Sequence, residues 1–116
     1  MSTVIIGVDA SERSEDAVAF GRRIADASGA NVIVACAYPY SDVPTRGDSE
    51  SYRRALADEA KATARAMRDR LEGIPEERIA IRVLPNTSPA HALHDLAEAE
   101  RATLVVVGST HTGRVG

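Results

Sequence analysis

With 116 residues the chain has room for one domain, since single cores commonly run to about 100 to 150 residues. A composition of 44% hydrophobic and 27% charged residues excludes the polar, high-charge profile of a disordered chain, and the 3% aromatic content leaves the core to Val, Ile, Leu and Ala. A net charge of -3 without a dense Lys/Arg block excludes a nucleic-acid backbone as the expected partner, and nothing approaches the roughly 18 apolar residues of a membrane span.

Met1-Ser2-Thr3 leads directly into a strand pattern without a basic, apolar leader. Residues 4–8 form a short β-branched run. Ser14, followed by Glu15 and Asp16, reads as the N-cap of a helix, with acidic residues near its positive end. Ala17, Phe20, Gly21, Ile24 and Ala25 recur at helical spacing until Gly29, a C-terminal stop. Residues 31–38 make a second strand, with Val32, Ile33, Val34 and Ala35 unbroken by a polar residue, as expected of a central parallel strand covered on both faces. This run holds the single cysteine, Cys36, so no intrachain disulfide is possible and a reducing, cytoplasmic location is expected.

Residues 39–48, with Pro39, Pro44 and Gly47, read as a surface loop. From about Ser51, Leu56, Ala60, Ala64, Met67 and Leu71 form one helical stripe, with Arg, Lys, Asp and Glu on the wet sides, until Gly73-Ile74-Pro75. Residues 79–84 predict a third strand, with Ile79, Ile81 and Val83 alternating against Ala80 and Arg82. Ser88-Pro89 predicts the start of a third helix, Ser as cap and Pro at the first helical position. Residues 103–107 read as a fourth buried strand. The order β-α-β-α-β-α-β predicts an open, mostly parallel, Rossmann-like α/β sheet with helices on both faces.

In such sheets ligands bind beyond the C-terminal strand ends, where the strand order reverses. The first strand runs into Asp9-Ala10-Ser11, where a carboxylate can accept from a ribose hydroxyl or an amino group. The fourth runs into Gly108, Ser109, Thr110, His111, Thr112, Gly113, Arg114, Val115 and Gly116. Its glycines and hydroxyls allow backbone N–H groups to turn toward phosphate, and Arg114 can add charge-assisted bonds.

Together these segments resemble the universal stress protein family. Asp9, Ser11 and Ser14 match its Asp-Gly-Ser-x-x-Ser pattern, Gly113 and Gly116 match its Gly-x-x-Gly pair, and Ser88-Pro89-Ala90 fits its third helix. The resemblance implies a frequently dimeric stress-response protein that binds ATP, alone or with magnesium. Asp9 would hold the adenosine part, with Ala10 and Ser11 among the nucleotide-binding residues beside it. Ala35, Cys36, Ala37 and Val83 would line the adenine slot. Gly108, Ser109, Thr110, His111, Gly113, Arg114 and Gly116 would hold the phosphates. Ala10 replaces the family's usual Gly, and Asn86 or Thr87 stands where Gly often precedes the third helix. The family's motif continues past its second glycine into a further helix and strand, so the expectation is a fold missing that last pair, associating through an edge strand or as a homodimer.

No catalytic constellation emerges, and any ATP hydrolysis is expected to be slow. His91 and His94 share a helix beside Asp95, but no third metal ligand is evident. A receiver-type module would need paired carboxylates after the first strand, which offers Asp9 alone. A nucleotide-independent dimerisation or signalling domain of the same fold is the other alternative.

Overall fold

A computed structural model describes residues 2–38, 49–85 and 88–108. Strand β1 (Thr3–Gly7) leads to helix α1 (Arg13–Ser28), β2 (Asn31–Tyr38) and α2 (Ser49–Arg68). A 3-10 turn (Glu76–Arg78), β3 (Ile79–Pro85), α3 (Pro89–Glu100) and β4 (Leu104–Val107) follow. The strands form one parallel sheet in the order β3-β2-β1-β4. Right-handed crossovers then put α1 and α2 on one face and α3 on the other, because the chain reverses direction across the sheet after β3.

Strand alternation divides the core accordingly. Val4 and Ile6 of β1, Val32, Val34 and Cys36 of β2, and Val106 of β4 pack with Ala17, Val18, Ala60 and Ala64 of α1 and α2. Ile5, Ile33 and Ala35 face α3 through Leu96. The fully buried Ile5, Ile6, Val18, Val32 and Val34 each contribute about 1.5 to 3 kcal/mol. At Gly21 a Cβ would stand 2.5 Å from Ile6 Cδ1, so glycine lets α1 lie directly on β1.

Gly29 closes α1 in the left-handed region (φ 74°), its N–H donating to Ala25 O. Arg78 then ties β3 to that corner: Nε donates to Ala30 O at 3.1 Å, and Nη2 to Ala25 O at 3.0 Å and Ala30 O at 2.6 Å. The cation thereby satisfies carbonyls at the negative end of α1. Ser88 accepts from His91 N–H and Pro89 opens α3, as their order in the sequence predicts.

Two expectations are corrected. Phe20 lies off the buried stripe of α1 and is 54% exposed, because Ser14, Ala17, Val18, Gly21 and Ala25 face inward. The fourth strand is not buried: only Val106 is enclosed, while Leu104, Val105 and Val107 are exposed. The reason is topological, since among the described residues β4 has β1 as its sole neighbour.

Candidate functional site

Where β1 ends, Gly7, Val8 and Asp9 pass the last turn of the chain before α1. Ser14 was expected to cap that helix; instead it is the second helical residue, and the cap position is Glu12, which makes no side-chain cap bond. The Ser14 hydroxyl, only 3% exposed as a residue, turns back to the strand end. It accepts from Asp9 N–H at 2.7 Å and donates to Asp9 Oδ1 at 3.0 Å. Ser11 adds two bonds to the same oxygen, from its N–H at 2.8 Å and its hydroxyl at 2.5 Å.

The consequence is an ionised carboxylate held in one orientation. The Ser11 hydroxyl, assisted by the Ser11 N–H, the Ser14 hydroxyl and the nearby Arg13 charge, holds the Asp9 carboxyl below its ordinary value of 3.8, against an opposing push from partial burial. All three bonds converge on Oδ1. Among the described residues nothing donates to Oδ2, which leaves it for a ligand.

Beside Asp9 opens a pocket of about 380 Å³, within the size range of small-molecule sites. Gly7, Ala35 and Ala37 form its floor, Pro89, Ala90 and Leu93 of α3 its wall, and Val107 with Gly108 its β4 side. Asp9, Arg13 and Ser14 supply its polar rim. A Cβ on Gly7 would stand 2.7 Å from Leu93 Cδ1 and 3.0 Å from Val107 Cγ1, so the absent side chain keeps both the strand crossing and the floor open. A Cβ on Gly108 would collide with the backbone carbonyl of Arg13, so only glycine passes the first turn of α1 there.

The structure brings Asp9, Ala35, Ala37 and Gly108 to this pocket, with Ser11 holding Asp9. Cys36 and Val83, expected to line the same slot, fall on the opposite face of the sheet. They are register partners, and both pack in the core under α1 and α2. Three consecutive strand residues cannot share a slot, because alternate side chains point to opposite faces. Cys36 and Ala10 instead border a smaller depression of about 210 Å³ with Leu56 and Glu59 of α2. Burial, reinforced by the charges of Asp9 and Glu59, pushes the Cys36 thiol up to about 11. Ala10 does not need positive φ, which among non-glycine described residues occurs only at Arg101.

Ser109, Thr110, His111, Gly113, Arg114 and Gly116 lie outside the described residues, as do the loop 39–48 and the pair Asn86 and Thr87. Sequence reasoning missed Gly7, Arg13, Leu93 and Val107. Gly7 had a signal, a glycine interrupting a β-branched run two residues before an Asp; Leu93 had none, because its approach depends on which face α3 covers.

A parallel sheet whose order reverses between β1 and β4, with a pocket opening at the reversal, defines a doubly wound α/β domain with its cavity where such domains take ligands. Among the described residues no helix is long and apolar enough to cross a membrane. The sequence profile of the universal stress protein family matches residues 1–116, and the chain belongs to that family.

A Thermus aquaticus relative described as the universal stress protein in the QAH/OAS sulfhydrylase 3' region is 33% identical, over 98% of this chain and 81% of that protein. A universal stress protein solved in complex with cAMP is 31% identical with a TM-score of 0.70, covering 91% of this chain and 75% of its own. The Archaeoglobus fulgidus universal stress protein solved in complex with dAMP is 19% identical with a TM-score of 0.58, covering 92% of this chain and 80% of its own, a likeness of fold.

Proposed function

We propose that this protein binds an adenine nucleotide at the β1–β4 reversal and acts as a nucleotide-dependent regulator in a stress response rather than as a fast enzyme. The observation that carries the reading is Asp9, an oriented carboxylate with Oδ2 open at the rim of a mainly apolar pocket. The residues fit such a ligand: Ala35, Ala37 and Leu93 offer apolar faces to a base, and Asp9 Oδ2 can accept from a ribose hydroxyl or a base amino group. Arg13 adds a cation on the rim. The loop carrying Ser109, Thr110, His111, Gly113, Arg114 and Gly116 supplies N–H groups and a guanidinium to phosphates in this reading, with Gly108 fixing where it leaves the sheet.

ATP, with or without magnesium, is the ligand of the first reading. The cAMP complex of the 31%-identical relative favours a second, a cyclic monophosphate in the same pocket. A reducing cytoplasm, where both ligands reside, suits the lone Cys36. The reading includes pairing of two copies through the outer edge of β4, where Leu104, Val105 and Val107 are exposed.

Calorimetric titration with ATP, ATP with magnesium, AMP and cAMP is the test. Saturable binding of any of them, weakened by Asp9→Ala, supports the site, and their rank separates the two readings. No heat from any of the four overturns nucleotide binding and leaves the nucleotide-independent signalling domain.

A further inference from the structure

The sheet has a second edge, far from the pocket. β3 ends the order β3-β2-β1-β4, so among the described residues its outer backbone edge pairs with no strand. Above it runs α2, whose inward face is Ala60 and Ala64. The flank of α2 overhanging β3 carries Lys61, Arg65 and Arg68, which with Ile81 line a depression of about 300 Å³. All three cations are exposed. Among the described residues Lys61 and Arg65 have no ion pair, and Arg68 has one long contact, 3.9 Å to Asp69 beside it. On the other face of β3, Arg82 is already matched by Glu100 at 2.5 Å. Three exposed cations beside an open strand edge, two of them without an ion pair among the described residues, are unexpected in a chain of net charge -3.

We infer that the β3 edge and this cation row form a docking surface for an extended acidic polypeptide segment, which adds as a further strand beside β3. The spacing suits that partner. Lys61 and Arg65 lie one helical step of four residues apart, about 6 Å along α2, and same-face residues of a strand recur every 6.6 Å or about that. A segment with Asp or Glu at alternate positions therefore presents successive carboxylates to successive cations on the α2 side, beside Ile81, while its intervening residues face the side of Ala80 and Arg82. The backbone edge selects a polypeptide over other anions, because only a peptide supplies a ladder of N–H and C=O groups to an unpaired strand. The competing role for these cations is protective, since Lys and Arg beside an open edge also discourage strand pairing.

The test uses the whole chain and a short fluorescent peptide of alternating Glu and Val, read by anisotropy. Three control peptides accompany it: the same composition with the glutamates in one block, the alternating peptide with alternate backbone nitrogens methylated, and a Lys-for-Glu version. Saturable binding of the alternating peptide is expected, weakened about tenfold or more by the combined variant Lys61→Glu, Arg65→Glu and Arg68→Glu. Backbone methylation and block rearrangement each weaken it, and the Lys version does not bind. If the triple variant does not fold, the methylated and block peptides on the unaltered chain decide alone. Equal binding of methylated and unmethylated peptides, no binding of the alternating peptide, or tighter binding of phosphatidylserine vesicles or duplex DNA overturns the proposal. Binding that survives the triple reversal overturns it as well.

Discussion

The two edges of the sheet are built on opposite principles. At β3, Ile79, Ile81 and Val83 are partly covered by α2, Arg82 is held by Glu100, and cations overhang the backbone. At β4, apolar side chains are exposed on both faces: Leu104 toward the α1 side, Val105 and Val107 toward the α3 side. One edge is marked by charge and invites or repels by sign; the other is marked by apolar surface and invites any strand that can cover it. What separates them is cover: β3 lies beneath a long amphipathic helix, whereas the end of β4 meets the first turn of α1 at Arg13 and shares the pocket with the start of α3.

The largest effect is expected where β4 is pinned. Gly108→Ala places a methyl against the Arg13 backbone, which cannot move without moving α1, at a cost of about 3 kcal/mol. Urea unfolding should show the loss, and a midpoint like that of the parent would mean that the β4 end is free to shift. Arg78→Ala removes the cation that ties the start of β3 to Ala25 and Ala30. The expected loss is about 2 kcal/mol, with the carbonyls at the α1 end returned to water. Hydrogen exchange should report it first at β3, and a uniform change across both edges would contradict the local role.

Ser14→Ala strips Asp9 of a hydroxyl donor and leaves its own N–H without the Ser14 acceptor, for about 1 to 2 kcal/mol. The same cluster has a pH signature. A carboxyl whose folded value lies below its unfolded value lends stability that is complete above the ordinary 3.8 and is lost as pH falls through the folded value. Unfolding free energies measured from pH 6 downward should therefore fall through that acid range by less in Asp9→Asn than in the parent; equal slopes would remove Asp9 from the linkage. The smallest stability effect is expected for Val105→Lys with Val107→Lys, since both side chains are exposed and surface changes stay within about 0.5 kcal/mol. Its effect belongs to the proposed pairing of copies through β4: sedimentation should show concentration-dependent self-association in the parent and less in the variant, and no association in the parent, or equal association in both, would count against that pairing.

Much of this arrangement was legible in the sequence, because strand runs, Gly29 and the Ser88-Pro89 pair act through local geometry. The face assignments were not. Alternation along β2 sets Cys36 on the face opposite Ala35 and Ala37, but which face holds the pocket depends on where the helices fall, and Val83 shares the Cys36 side only through the register of β3 on β2. The β4 run reads as buried because its residues are apolar, yet burial depends on which strands flank it. Ser14 has the composition of a cap, and the bond it makes instead requires the end of β1 to lie beside it. Asp9 and Gly108 could be placed at the pocket, and Ser11 beside Asp9, from sequence because strand ends are sequence-visible.

The placement of Cys36 makes the chain its own sensor. The thiol sits on the reverse of the strand whose Ala35 and Ala37 floor the pocket, 5% exposed at the depression it shares with Leu56 and Glu59, and burial pushes its value up to about 11. With little of the thiol exposed and its thiolate disfavoured by burial, alkylation should be slow and should quicken when the end of β2 and α2 move apart. The rate of alkylation therefore clocks the opening of that layer, read out by mass alone and without a label. A ligand that stiffens the end of β2 from the α3 side should slow that clock, and one bound elsewhere should leave it unchanged.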